Sequence, residues 1–425
     1  MITEEINGIK KLKSGGEGHV LFIAQTGATK TLAIERFVEE HHKKGHIVVY
    51  IESSKANLEA GASAFKPTMQ YHLNKLKFQG ENPQSKKIKL YHLNSNIPTF
   101  KTIPELKIWT MNIKKFDRLL TSFIFENSGE TSSISALNTA IERLKKNEGF
   151  FDLIVKLKQG NIKEKQDLFS FESKASSINV NTILNFLGRF KDQPIIMPQS
   201  FKHNLDIVKI LQDQTSYHIF SNRYSNDEKI RDLATLYILN EIRRAKASGK
   251  IKKEIIIVLD ELKTIAPNNP LYDFQRILNK LLTELLSVCR SLGIRIIGAS
   301  QIYSEIDSAV RQSFSHIILG RTSALQDLYD IGKIIGLNQY ERDDILSLKH
   351  NEFYLLSEDV GEKGIWHFHL PKHAHAERNQ VFDKQFSETF PERMKNHKDI
   401  INEIKKEFKN QELNARQLLY AKKND

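Results

Sequence analysis

The run at residues 254–259 (EIIIVL) constrains the fold more than any other feature of the chain. Branched aliphatic residues without polar interruption make a strand buried on both faces, as in a parallel sheet covered by helices. Similar runs stand at 19–24 (HVLFIA), 46–52 (HIVVYIE), 294–300 (IRIIGAS) and 316–319 (HIIL), with a further strand at 217–221. Helical patterns fill the gaps at 31–44, 232–248 and 274–292. In the last of these, Leu278, Leu281, Leu282, Leu285, Cys289 and Leu292 recur at helical spacing, and Gly293 stands where a C-terminal cap belongs. Alternating strands and helices predict an α/β domain on a parallel sheet.

Between the two halves of this pattern, roughly 57–199, the composition turns to Lys, Asn, Ser and Phe. Helical patterns occur there at 136–144 and 182–190, and parallel-strand signals are few. The expected organisation is an α/β core from 1–56 and 200–380, a mainly helical insertion at 57–199, and a charged helical tail at 381–425.

Composition narrows the functional classes. The 425 residues are 40% hydrophobic and 27% charged, as in a soluble globular chain. No apolar run reaches the roughly 18–20 residues of a membrane helix, and the N-terminus lacks a signal-peptide pattern. A single cysteine, Cys289, excludes an internal disulfide framework. These features lead us to expect a cytoplasmic protein. Lys and Arg exceed Asp and Glu by 63 − 51 = 12, an excess that favours a polyanionic partner.

Three segments carry chemistry. The stretch Ala24-Gln25-Thr26-Gly27-Ala28-Thr29-Lys30-Thr31 joins a strand to a helix, as a phosphate-binding Walker A loop does. Such a loop cradles phosphate with backbone N–H groups, reaches it with a lysine and holds Mg²⁺ with a hydroxyl. Gly27, Lys30 and Thr31 fit, whereas Ala24 and Thr29 replace the two defining glycines. Thr29 puts a β-branched side chain where the backbone ordinarily needs glycine's freedom, so weaker nucleotide binding is expected. The second segment is the strand 255–259 running into Asp260-Glu261, a Walker B arrangement. There the aspartate suits Mg²⁺ and the glutamate suits activation of a water. The third is the strand ending in Gln301, whose amide both donates and accepts hydrogen bonds and suits sensing of a γ-phosphate.

Together with Arg290 before Leu292-Gly293-Ile294, these segments resemble the HerA/FtsK superfamily, which includes conjugative coupling proteins and viral genome-packaging ATPases. The stretches 309–323, 335–337, 345–348 and 352–355 are similar as well. The resemblance covers about 15–55 and 215–370. It implies a RecA-like fold with ATP and Mg²⁺ as cofactors. Gly27, Ala28, Thr29, Lys30 and Thr31 would bind nucleotide, Thr31 and Asp260 the metal. Glu261 would be the catalytic base and Gln301 the sensor. It also implies a homo-hexamer with a trans arginine finger, for which Arg290 matches best and Arg321 second. The implied activity is ATP-driven movement of double-stranded DNA, beside a nuclease, relaxase or capsid partner. Two other readings stay open: a nucleotide-binding scaffold with a degenerate loop, and a secretion- or pilus-type motor acting on protein. His373 and His375 lack the accompanying ligands of a metal site. His41 and His42 read as a solvated helix end, and Cys289 as a packing residue.

Overall fold

In a computed structural model, residues 3–6, 9–12, 18–25, 29–52, 67, 69–93, 106–124, 131–163, 190, 194–221, 227–321, 325–349, 352–357, 362–374 and 384–421 are described. The strands in chain order are β1 (Thr3–Ile6), β2 (Ile9–Leu12), β3 (Val20–Ile23), β4 (Ile47–Glu52), β5 (Ile88–Leu93), β6 (Leu106–Trp109), β7 (Met111–Asn112), β8 (Ile196–Met197), β9 (Tyr217–Ser221), β10 (Ile255–Asp260), β11 (Ile294–Ser300), β12 (His316–Leu319), β13 (Glu352–Ser357) and β14 (Glu362–His367). Ten of them form one sheet in the order β14-β13-β12-β3-β11-β10-β4-β9-β5-β6. From β12 to β6 every neighbouring pair is parallel, and β13 and β14 add an antiparallel edge.

The aliphatic runs explain this arrangement. Side chains alternate between sheet faces, and each face has its own core. Val48, Tyr50, Ile256, Val258 and Phe22 pack with Leu32, Ile34, Phe37 and Val38 of helix α1 (Lys30–Lys43). Ile47, Val49, Ile51, Ile255, Ile257 and Leu259 face the other way. There they meet helices Glu228–Ala247 and Asp273–Ser291 through residues such as Leu233, Leu236, Leu278, Leu282 and Leu285. Gly293, at φ +69°, ends the second helix in the left-handed conformation that glycine adopts without strain. No helix among the described residues is long and apolar enough to cross a membrane.

The segment 57–199 carries strands as well as helices. The segment 57–199 does not leave the sheet: β5 and β6 extend it in parallel, with Ile88, Lys89, Leu90, Tyr91 and His92 in register with residues 217–221 of β9. The signal was weak because Lys89 and His92 interrupt one strand and Lys107 the other. The helical part is real, with helices Arg118–Ile124, Thr131–Glu142 and Phe150–Lys163. The 182–190 pattern lies outside the described residues apart from Phe190. The C-terminal helix Lys384–Ala421 also has a buried face. Ile401 and Ile404 meet Ile108 of β6, and Phe408 lies 4.8 Å from Phe151, ring centroid to ring centroid.

Candidate functional site

Sheet order brings the three sequence segments together. β11 lies between β3 and β10, so Gln301 emerges between the end of β3 and Asp260. Face parity then orients them. Ala24, Asp260 and Gln301 all continue the alternation that points Phe22, Val258 and Ala299 toward α1. This is the carboxyl edge of an open parallel sheet, where ligands bind.

The loop after β3 is tied to both neighbouring strand ends. The Ala24 N–H donates to the Ser300 carbonyl (3.3 Å) and the Gln25 N–H to the Arg321 carbonyl (3.2 Å). Gln25 and Arg321 therefore flank the same entry. Thr26, Gly27 and Ala28 lie outside the described residues. The loop resumes at Thr29, which caps α1 at φ 58°, ψ 20°, its carbonyl accepting the Ala33 N–H at 3.1 Å. Lys30 follows, buried at 8% exposure, and Thr31 is half-buried.

The two departures from the glycine pattern have different consequences. Ala24 is fully buried, and its methyl group fills the space above Gly320, where an added Cβ would lie only 2.6 Å from that of Ala24. The Gly320 N–H donates to the Ile23 carbonyl at 2.8 Å, so this close approach is built into the strand ends. Ala24 is thus accommodated by a glycine on the adjoining strand. Thr29 is not relieved in this way, because its backbone is left-handed, a conformation that costs an L-residue roughly 1–2 kcal/mol.

Among the described residues, two non-glycine residues have positive φ: Thr29 and Glu261. Glu261 sits at φ 58°, ψ 57° directly after β10, and its carbonyl accepts from both the N–H and the hydroxyl of Thr264 at 2.9 Å. It is 3% exposed, whereas Asp260 is half-buried. Left-handed non-glycine residues store strain, and they cluster at functional sites. Here both adjoin the same crevice.

The arginines part company. Arg321 follows β12 and is exposed beside the loop. Arg290 is exposed at the opposite, amino end of the sheet. There it and Arg295 hold the His19 imidazole below its usual range, after the larger effect of burial. His19, whose ring bonds the Leu286 carbonyl at 2.9 Å, is five residues before Ala24, about 16 Å along an extended strand. Arg290 therefore does not join this chain's own crevice.

Sequence reading missed three polar residues in the same row. Asp260 is in register with Glu52 of β4, Glu52 with Ser221 of β9, and Ser221 with His92 of β5. Glu52, Ser221 and His92 are buried at 0%, 1% and 3% exposure. The available signal was the acidic end of HIVVYIE, which parallels that of IIIVLD. Nearby, the Tyr50 hydroxyl is held well above its usual range, first by burial and then by Glu35, Tyr217, Asp260 and Glu52. Burial also pushes the Cys289 thiol up to about 12, which fits a packing role.

The donor set fits nucleotide and Mg²⁺ in its chemistry: a buried lysine and a hydroxyl at the start of α1, on the sheet face toward which an aspartate and an amide emerge from adjoining strand ends. Among the described residues no group of three His, Cys, Asp or Glu side chains is arranged to hold a metal by itself. That suits Mg²⁺, which takes one or two protein ligands and completes its shell with phosphates and water.

No family model and no curated protein matches the sequence. Solved structures do match. The bacterial conjugative coupling protein TrwB superposes with a TM-score of 0.54 at 13% identity, over 90% of this chain and 92% of that one. TrwB in complex with the non-hydrolysable ATP analogue ADPNP gives 0.54 at 12% identity, with the same coverage. VirB4 of Thermoanaerobacter pseudethanolicus gives 0.52 at 11% identity, over 87% and 96%. The likeness spans both the α/β core and its helical additions, and the chain shares the RecA-like α/β fold of these structures.

Proposed function

We propose that this chain is a Mg²⁺-dependent ATPase that moves double-stranded DNA. One observation carries the reading: Lys30 at the start of α1, the Asp260-Glu261 strand end and Gln301 stand at one edge of the sheet, where the two left-handed non-glycine residues among those described also lie. Lys30 binds the β- and γ-phosphates, while Thr31 and Asp260 hold Mg²⁺, whose charge offsets that of the phosphates. Glu261 takes a proton from the attacking water as its oxygen bonds to the γ-phosphorus and the bond to ADP breaks. Gln301 donates to the γ-phosphate.

Arg321 borders the crevice of its own chain, whereas Arg290, exposed at the far end, is available only to a neighbouring subunit. A ring of identical subunits, most simply a hexamer, gives Arg290 a site to complete. The net charge of +12 suits a phosphate backbone gripped without base readout. A nuclease, relaxase or capsid is the class of partner that such a cytoplasmic motor serves.

The test is ATP hydrolysis by the purified protein with and without double-stranded DNA, beside Lys30→Ala and Glu261→Gln. We expect DNA-stimulated turnover that both variants lose and that falls steeply with added salt. The strain at Thr29 supports a second reading, a scaffold that binds nucleotide without turning it over. ATP binding by the unmodified protein with no hydrolysis would favour it. Hydrolysis that ignores DNA but responds to a protein partner would favour a secretion-type motor.

A further inference from the structure

The row Asp260, Glu52, Ser221, His92 crosses four parallel strands at one level, all on the face that carries α1. Neighbouring strands lie about 4.8 Å apart, so Glu52 stands one strand spacing from Asp260 with its side chain leaving the same face.

A fully buried carboxylate is costly unless something favours its charge. On its far side Glu52 has Ser221, a hydroxyl donor, in register. On its near side it has the aspartate assigned to Mg²⁺. Glu52 is fully buried whereas Asp260 is half-buried, so the aspartate is the carboxylate open to the crevice and Glu52 stands behind it. The position suits an acceptor for water bound to the metal.

We propose that Glu52 is a positioning residue of the ATPase site: it accepts a hydrogen bond from a Mg²⁺-bound water and so fixes the metal held by Asp260. This rests on the reading of Asp260 and Thr31 as the Mg²⁺ site. It differs from the role of Glu261, which acts on the attacking water and does not hold the metal. Losing a partner of this kind ordinarily weakens metal affinity by 10- to 100-fold.

The experiment is Mn²⁺ titration of the protein–ATP complex by electron paramagnetic resonance, with turnover measured against Mg²⁺ concentration. Glu52→Gln should weaken Mn²⁺ by roughly 10-fold or more and raise the Mg²⁺ needed for half-maximal turnover. ATP binding without metal should be unchanged. Glu261→Gln should lose turnover and keep Mn²⁺ affinity. Should Glu52→Gln fail to fold, Glu52→Asp retains the charge but draws it back by one methylene, and should show the same weakening in smaller measure. Unaltered Mn²⁺ affinity in a folded Glu52 variant overturns the proposal and leaves the ATPase reading standing. If the unmodified protein binds no metal–ATP, the ATPase reading fails and the proposal fails with it.

Discussion

At the scale of single residues, the site is a balance between a tolerated change and a strained one. Ala24 and Thr29 both replace motif glycines, and both departures are visible in the sequence. Their consequences were not, because they depend on groups supplied elsewhere. Ala24 fits because Gly320, remote in sequence, lacks a Cβ. Thr29 is strained because the turn into α1 requires a left-handed residue. Thr29→Gly should therefore stabilise the fold. Removing roughly 1–2 kcal/mol of left-handed strain outweighs the added freedom of glycine in the unfolded chain, roughly 0.5–1 kcal/mol. Equilibrium urea unfolding should show a higher midpoint with an unchanged slope, and ATP should bind more tightly because the loop backbone can approach phosphate. A lower midpoint would mean that the threonine side chain makes a contact worth more than the strain. Of the proposed site, the placement of Lys30, Thr31, Asp260, Glu261 and Gln301 was legible because each directly ends a strand or starts a helix next to an aliphatic run. Glu52 was not, because one acidic strand end means little until its neighbour in the sheet is known.

At the scale of elements, legibility followed the length of apolar runs. β10, β11 and β12 are interior strands of the sheet and read as strands without ambiguity. β5 and β6 lie toward one edge of the sheet, where lysines are tolerated within a strand, and they were absorbed into a segment expected to be helical. The tail hides a different signal. It reads as a charged helix, and within that charge apolar residues recur at helical spacing: Ile401, Ile404 and Phe408 are buried, with Ala415 further on. This stripe docks the helix against Phe151 and Ile108. Phe408 is 7% exposed, so Phe408→Ala should cost about 3 kcal/mol, the lower end for a buried phenylalanine because the site lies near the surface. Denaturant unfolding checks the loss, and amide exchange should show it concentrated in the tail helix and in Phe150–Lys163. A loss below about 0.5 kcal/mol, the size expected of a surface substitution, would show that the tail does not dock in solution.

At the scale of the whole molecule, the same sheet that gathers the proposed nucleotide site at one end gathers histidines at the other. Around the turn from α1 into β4, His41 is fully buried and lies 2.9 Å from His46, ring nitrogen to ring nitrogen. His42 meets Lys86 and the ring of Tyr217, and His46 approaches Glu254 at 3.5 Å. Burial holds the imidazoles of His41, His42, His46, His19, His218 and His373 below the ordinary value of 6.5, His42 at about 4. Nearby Lys44, Lys86, Lys253 and Arg295 push several of them in the same direction, while Glu254 opposes the effect at His46. The folded protein therefore binds fewer protons at these sites than the unfolded chain as pH falls below 6.5, and acidification favours unfolding. Two groups act in the opposite sense: burial raises Asp232 to about 8 and raises Asp152, so both favour the folded state as pH falls. Six histidines against two carboxyls leave the net slope with the histidines. Each full proton of difference changes stability by about 1.4 kcal/mol per pH unit. The thermal midpoint should fall as pH rises through about 8, where folded Asp232 gives up its proton, and drop again between pH 6.5 and 5, before the carboxylates paired with lysine begin to titrate. His42→Gln, which removes one of these groups and keeps a polar side chain, should make that drop shallower. A midpoint that holds or rises from pH 7 to 5.5 would mean that the histidine-rich end gains protons without opening, and that acid stability is governed instead by Asp232.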